Sequence, residues 1–548
     1  MTSTARDKME RVYNCYLMAL PGPGAGLSKR IPHHNAVVRK RVNVAVLAPP
    51  LLSQKGDFLG SGVPFFPLEA AYIAAVLRKE GHFVKVVDGF GESPRRRWEY
   101  KGKYCVQGLP PAEMIGRLPG KTELVVVSTG SSASANMTAP YSLSLELVKL
   151  AKSRLRATVV ASGIIATNCY GAFLDAGADF VALGEPEETI ARLARALGGG
   201  KPGLPKLDGV ARKASRGAEV RPEMKLVEDL DSLPFPAFDL FPLKNYWGLG
   251  YAHGPVKGKY LPLLTSRGCT YGCAFCAVPK ISQRKWRARS PKNVVDEMEF
   301  NIRNYGVSDF HLEDYNPTLD KERTVGICWE ILRRKLRVTW KLAAGSKAER
   351  LDEDSLGWMA KAGCDYISIS PESGSARVLK LMHKPVDHGH GLRMVRRMHQ
   401  LGIKSQACFV LGFPGETNED LALTKAYIGK LALAGLDEIA LFIMTPLPGS
   451  EMMGAADWGY GDIEELTFSP KWRKGYARLA RVRRDLYLYF IALKSARYPG
   501  KIARSAYNLL RRRYETKMEM AAYRVASEVR SGLRRGAPFL GAGGHRGN

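Results

Sequence analysis

The sequence predicts an α/β protein: an N-terminal doubly wound, Rossmann-like domain, then six further β/α units, then a basic helical C-terminal region. Three observations carry this. Apolar runs alternate with amphipathic helical stretches from residue 42 to about residue 450. Glycines stand at the ends of many of those runs, where strands of a doubly wound sheet turn toward helices. Past residue 450 the alternation stops, and helical stretches rich in Arg, Tyr and Leu take over.

In chain order, residues 1 to 41 form a loose basic extension with PGPGAG and IPHH turns. Residues 42 to 199 form the first α/β domain. Its strands are VNVAVLAPP (42 to 50), HFVKVVDG (82 to 89), TELVVVSTG (122 to 130), ATVVASG (157 to 163) and ADFVALG (178 to 184). Continuous apolar runs of this kind suit parallel strands buried on both faces. Helices are expected at 66 to 81, 141 to 154, near Tyr170 to Ala176, and at 186 to 197, where Glu187 and Glu188 suit a first turn. Ligands of such domains bind at the carboxyl ends of strands. The candidate loops are therefore Ser128-Thr129 onward to Ser132, Ser162-Gly163 and Gly184-Glu185. Residues 200 to 260 form a linker, with a small hairpin in DGVARKASRGAEVR and aromatics in LDSLPFPAFDLFPL that pack between domains. Residues 261 to 450 carry strands at 261 to 264, 307 to 314, 338 to 345, 365 to 370, 405 to 412 and 438 to 444. Residues 451 to 548 are the basic helical region, read as a helical bundle packed on the preceding domain or as a membrane-surface or substrate cover.

The chemistry concentrates in TSRGCTYGCAFCAVP, residues 265 to 279. Cys269, Cys273 and Cys276 follow an apolar strand on a loop with Gly268 and Gly272. Three thiolates on one short loop hold three irons of a cubic iron–sulfur cluster and leave the fourth iron open. A structural zinc site needs four protein ligands, and the other six cysteines are isolated. Three unligated core thiols are the remaining alternative.

The net charge is +29, and the last 78 residues hold 20 Lys/Arg against 4 Asp/Glu. Such a bias points to an acidic partner, whether nucleic acid, anionic lipid or a phosphorylated substrate, or to a solvated basic face. A nucleic-acid-binding role leaves the cysteine loop unexplained. No apolar segment reads as a signal peptide or a membrane span, so the expected location is the cytoplasm, with the basic tail at the membrane periphery.

The C-x3-C-x2-C spacing, with Phe275 before the last cysteine, resembles the radical S-adenosylmethionine superfamily. That resemblance implies a 4Fe-4S cluster on Cys269, Cys273 and Cys276, a partial (β/α)6 barrel, and S-adenosylmethionine on the open iron, cleaved to a 5′-deoxyadenosyl radical. It also implies an electron donor such as flavodoxin or ferredoxin. Read onto the strand ends, Glu313 and Asp314 would hold the amino group of S-adenosylmethionine, Glu372 and Ser373 its ribose, and backbone at Gly412 its adenine. Each acid alone could instead cap a helix. Lys347 and Ser370 stand where relatives often carry arginine and glycine.

The first domain resembles the cobalamin-binding domain that precedes many such barrels. The matching pieces are APP, LEAAYIAAVLRKEGHFVKVVDG, STG, and SGIIAT leading to ALGEPEETI. Cobalamin contacts would then fall at Ser128, Thr129, Gly163, Gly184 and Glu185. The D-x-H-x-x-G motif is absent, and His82 is expected to cap a turn, so cobalt would lack a histidine ligand. The function implied is cobalamin-dependent methyl transfer to an unactivated carbon or phosphorus of a small or lipid-like substrate. One alternative is a non-methylating anaerobic cyclase, which RKWRARSPKNVVDEMEF and YFIALKSARYP also resemble. A lower one is a transfer-RNA methylthiotransferase, for which Cys15, Cys105 and Cys169 are poorly placed.

Overall fold

The computed structural model describes residues 40–57, 62–130, 140–199, 208–214, 217–221, 224 and 226–533, the last seven by backbone only. The extension expected over residues 1 to 41 lies outside these residues save its last two, as do Cys15, Ser131 and Ser132.

Seven strands make the first sheet: β1 Asn43–Ala48, β2 Phe83–Asp88, β3 Leu124–Ser128, β4 Thr158–Ser162, β5 Phe180–Ala182, β6 Val210–Lys213 and β7 Ala218–Arg221. Their spatial order is β7-β6-β5-β4-β3-β1-β2. The first five run parallel, with Val44 opposite both Val84 and Leu124. Val44 to Ala48 and Leu124 to Val127 are each at most 2% exposed, which is why these stretches read as unbroken apolar runs. The order reverses between β1 and β3, so the ligand crevice of this topology lies outside Ala48 and Ser128. The small hairpin of the linker is present as β6–β7, and it extends the sheet with antiparallel pairing to β5. A three-stranded antiparallel sheet over 51–54, 97–100 and 104–107 stands where the sequence reading places no strand.

The second sheet has six parallel strands in sequential order: β8 Tyr260–Leu263, β9 Asp309–Leu312, β10 Thr339–Ser346, β11 Cys364–Glu372, β12 Lys404–Leu411 and β13 Glu438–Ile443. Sequential order with a helix after each of the first five strands is the open (β/α)6 barrel. The helices start where short polar side chains accept backbone N–H groups. Ser290 caps Pro291–Tyr305, which ends at Gly306 with φ of 62°. Thr417 and Asp420 cap Asn418–Leu433 reciprocally.

The linker aromatics join the two units. Phe66 of the first domain lies 5.3 Å from Phe238, 4.9 Å from Phe241 and 5.2 Å from Tyr246, and Phe238 meets Tyr305 of the barrel at 6.2 Å. The C-terminal helices pack back on the barrel. Glu438, the first residue of β13, accepts the backbone N–H groups of Lys517 and Met518 at 3.0 and 2.6 Å. It thereby caps helix Lys517–Leu533 at its N-terminus, where backbone N–H groups favour an anion.

Candidate active site

The chain leaves β8 and enters a two-stranded ribbon, Ser266–Gly268 against Trp286–Ala288, which frames the three cysteines. Gly268 has φ of 84°, and a Cβ there would lie 2.1 Å from the carbonyl oxygen of Lys285, so only glycine fits. Asp314 anchors the base of the ribbon. Its carboxylate accepts the Thr265 N–H at 3.0 and 3.1 Å, the Thr265 hydroxyl at 2.8 Å, the Ser266 hydroxyl at 2.7 Å, and the Ser266 N–H. This fully buried group holds the loop and does not line the cavity beside it, contrary to the sequence expectation that it binds a ligand's amine.

Burial pushes the thiols of Cys269 and Cys273 up and that of Cys276 to about 12, while Lys384 opposes the rise at all three and Lys347 at the first two. The Lys384 ammonium lies 5.9 Å from the Phe275 ring and donates to Glu372 Oε1 at 2.6 Å. Lys347 lies 4.3 Å over the Tyr271 ring. Two cations beside three thiols suit an anionic iron–sulfur thiolate centre. Among the described residues no three ligating groups converge on a single ion. A cubic cluster needs each thiolate on its own iron, which three cysteines on one loop supply.

Phe275, Cys276 and Glu372 line a cavity of about 490 Å³ between the domains. Its walls come from the carboxyl ends and inner face of β10 to β13, from Val63, Pro64 and Pro140 of the first domain, and from the last helix through Lys517, Met518 and Met520. Glu372 has φ of 61°, a left-handed conformation that a non-glycine residue seldom adopts. It turns β11 so that carboxylate, Lys384 and cluster loop meet. The neighbouring assignments fare differently. Glu313 is bound by His253, whose Nδ1 lies 2.7 Å from Oε2. The Ser373 hydroxyl is buried against Thr424 at 3.3 Å and accepts the Ser375 N–H at 3.1 Å, so it is part of a turn. Gly412, with φ of 75°, is covered by Leu479 and Arg473 of the C-terminal region, and a Cβ there would lie 2.5 Å from Leu479 Cδ1. His253, Lys384 and Lys517 were missed by sequence reasoning. Lys384 stands twelve residues after Glu372 with no motif of its own, and the other two come from the linker and the tail.

In the first domain, a crevice of about 60 Å³ opens at the β1/β3 switch point, lined by Pro49, Pro50, Glu69, Asp88, Ser128 and Gly130 among others. Glu69 Oε1 accepts from both Ser128 and Ser162 hydroxyls at 3.1 Å. Gly163 has φ of 101°, and a Cβ there would lie 2.2 Å from the Gly130 carbonyl oxygen, so glycine is needed for the two loops to approach. Thr129 is buried, donating to the Ser162 carbonyl at 2.7 Å and accepting the Ala166 N–H at 2.9 Å, and thus holds the loop. Gly184, with φ of 75°, faces Met224. The crevice and the large cavity share Val63, Pro64, Phe65 and Pro140, so a group seated at the switch point meets the cavity. No histidine lines the crevice among the described residues. His82 sits at the opposite end of β2, accepting the Val42 N–H at 3.3 Å. The space for a planar cofactor at this switch point is the crevice together with the adjoining cavity.

Glu185 is corrected by the structure. It makes a two-armed pair with Arg287 at 2.6 and 2.9 Å, accepts the Val227 N–H at 2.8 Å, and lies 3.6 Å from Arg267. Arg267 in turn pairs with Glu187 at 2.7 Å and covers the Tyr72 ring at 5.1 Å. Burial alone would raise the Glu185 carboxyl, but Arg287 and Arg267 outweigh it and hold it below its ordinary value. These pairs tie the GEPE turn of the first domain to the ribbon beside the cysteines. Glu185 is a fastening between domains, not a cofactor contact.

Asp88 carries a pH signature. Its buried carboxyl accepts the Tyr246 hydroxyl at 2.7 Å and the Gly91 N–H at 2.8 Å, yet burial pushes it up to about 6. An unfolded aspartate ionises near pH 4. Between about pH 4 and 6 the folded state therefore binds more protons, so stability falls as pH rises, by at most about 3 kcal/mol. Asp88→Asn is expected to remove this slope, raising the melting temperature over wild type at pH 7.5 but not at pH 4. Calorimetry across that range checks it.

A sequential six-stranded parallel barrel with three thiols on the loop after its first strand, fastened to a Rossmann-like domain, defines an iron–sulfur enzyme with a second domain facing the same cavity. Residues 263–428 match the Radical SAM superfamily. The barrel therefore carries a Radical SAM domain. It is similar to an uncharacterised methyltransferase of Pyrococcus horikoshii, 27% identical over 79% of this chain and 86% of the relative. It is likewise similar to cytidylyl-2-hydroxyethylphosphonate methyltransferase of Streptomyces wedmorensis, 27% identical over 75% of this chain and 81% of the relative. Its fold is shared with the radical S-adenosylmethionine methyltransferase TsrM of Kitasatospora setae, solved with cobalamin and a [4Fe-4S] cluster bound. The TM-score is 0.58 at 20% identity, over 75% of this chain and 77% of the other.

Proposed function

We propose that the protein is a cobalamin-dependent radical S-adenosylmethionine methyltransferase acting on an unactivated carbon or phosphorus. The observation that carries this is the single cavity bordered by the cluster loop, the barrel strand ends and the switch-point loop of the first domain. The relatives support the reaction class, since the two similar chains are named methyltransferases. When bound, the cluster would supply reductive cleavage of S-adenosylmethionine and cobalamin a transferable methyl group. The chain's own part is placement. Cys269, Cys273 and Cys276 hold the cluster, and Phe275, Glu372 and Lys384 border the nearby S-adenosylmethionine. Ser128, Gly130 and Gly163 shape the crevice where cobalamin sits. Apolar walls from β12 and β13 exclude water around the radical. The test uses S-adenosylmethionine with a deuterated methyl group, supplied anaerobically with candidate substrates. Methyl transfer carries the label into product, whereas a cyclase-type reaction yields unlabelled product and defeats the proposal.

The cobalt is expected to lack a histidine from the first domain. Any nitrogen splitting in the paramagnetic resonance of the cob(II)alamin form should be the same in His82→Ala as in wild type. A splitting that vanishes in His82→Ala would contradict this.

The electron donor is a small acidic flavin or iron–sulfur protein such as flavodoxin or ferredoxin, which complements a chain of net charge +29. The tail bears on membranes less broadly than its charge suggests. Tyr514, Met520 and Arg524 are buried, so part of it covers the cavity. No helix among the described residues is long and apolar enough to cross a membrane. Leu488, Ile491, Ile502, Tyr507 and Leu510 remain exposed on helices 476–497 and 499–511 among arginines, a combination that suits peripheral contact with anionic lipid. Anionic vesicles should sediment the protein at 0.1 M salt and release it at 1 M, where the Debye length falls from about 10 Å to about 3 Å. Leu488→Asp with Leu510→Asp should weaken the capture. Equal capture by neutral vesicles would refute it.

A further inference from the structure

Three segments distant in sequence meet at the wall of the interdomain cavity: the end of β9, the linker, and the start of the last helix. His253 Nδ1–H donates to Glu313 Oε2 at 2.7 Å, which leaves Nε2 with its lone pair. That nitrogen faces Lys517 Nζ at 3.4 Å, and Lys517 also donates to the Ala343 carbonyl at 2.7 Å. The Phe65 ring lies 4.4 Å from His253 and fixes its plane from the first domain. Both His253 and Lys517 line the cavity.

Lys517 is a cation in an unusual place. No carboxylate lies within ion-pair distance of its ammonium among the described residues: Glu438 takes the backbone of the same helix start, and Glu313 is taken by His253. Burial pulls its ammonium down from the ordinary lysine value, with Cys408, Glu438 and Glu313 opposing. A buried ammonium carries three donors, and two are accounted for by Ala343 and His253. A charge kept in an apolar cavity without a counter-ion is costly unless something anionic joins it. The walls around it are largely apolar: Ala343, Ala344, Ile439, Phe442, Met518 and Met520.

We propose that Lys517 receives an anionic group, a carboxylate or a phosphate, of an otherwise apolar substrate, and that His253 and Glu313 are positioning residues that hold its ammonium toward the cavity. This inference rests on the reading of the cavity as the substrate site and names the class of molecule it accepts. The C-terminal helix then does more than close the barrel: it selects substrates by charge.

The test is isothermal titration calorimetry of the full-length, anaerobically reconstituted protein with octanoate, octyl phosphate and octan-1-ol. At least one anionic probe should bind about tenfold or more tighter than the alcohol, the worth of one hydrogen bond to a charged group. Lys517→Met should remove that excess while leaving the affinity for octan-1-ol unchanged, and Lys517→Arg should retain most of it. The two anionic arms tell carboxylate from phosphate. His253→Ala frees Glu313 to face the ammonium and should therefore weaken octanoate binding while leaving the affinity for octan-1-ol unchanged. No preference for anions in the wild type, or a preference that survives Lys517→Met, overturns the proposal. Iron content and reductive cleavage of S-adenosylmethionine, measured on the same samples, report separately on the enzyme reading.

Discussion

Replacing Cys269, Cys273 and Cys276 together by alanine removes the iron from the protein and abolishes reductive cleavage of S-adenosylmethionine. About four irons per chain are expected in the anaerobically reconstituted wild type, the content of one cubic cluster. The triple variant should hold essentially none. The reason is local. The other described cysteines cannot substitute, since Cys328, Cys364 and Cys408 are buried and Cys105 and Cys169 lie in the first domain. The loop itself should survive the change, because its base is held by Asp314 and its flank by the ribbon pairing, neither of which involves a thiol. The far-ultraviolet circular dichroism of the variant should therefore match wild type while 5′-deoxyadenosine falls to background.

The second large effect is expected at the fastening between domains. Glu185→Ala leaves the buried Arg287 with no carboxylate partner and Arg267 with Glu187 alone, and strips the Val227 N–H of its acceptor. Breaking one partner of a buried pair costs about 3–5 kcal/mol, because the other charge stays in low dielectric. Glu188→Ala, whose carboxylate is 59% exposed and pairs with Arg195, should cost about 1 kcal/mol or less. The double change Glu185→Leu with Arg287→Met should recover much of the loss, since well-packed apolar pairs replace buried ion pairs at little cost. Denaturant melts of the four proteins decide it. If Glu185→Ala behaves like Glu188→Ala, the pairs do not fasten the domains.

Most of the architecture was legible because parallel strands buried on both faces leave unbroken apolar runs, and all five parallel strands of the first sheet and all six of the barrel stand where those runs stand. The three cysteines were legible because their spacing is local. What misled was chemistry decided at long range. Glu185 reads as a loop acid at a ligand-binding strand end, and only the approach of Arg287, about a hundred residues later, turns it into an interdomain pair. Asp314 sits at a strand end as a ligand-binding acid would, but the backbone of Thr265 and Ser266 reaches it first. Lys517 and His253 belong to a helix and a linker with no motif, so nothing local marks them as cavity residues. Charge counts likewise do not reveal that Tyr514, Met520 and Arg524 of the basic tail turn inward.

The central claim is that one chain brings an iron–sulfur cluster and cobalamin to a shared cavity. Cofactor content of the anaerobically purified and reconstituted full-length protein tests it most directly. The account predicts about four irons and one cobalamin per chain, with the irons lost in the cysteine triple variant and the cobalamin retained. Tightly bound zinc in place of iron, or no retention of cobalamin by protein that holds its iron, would contradict it.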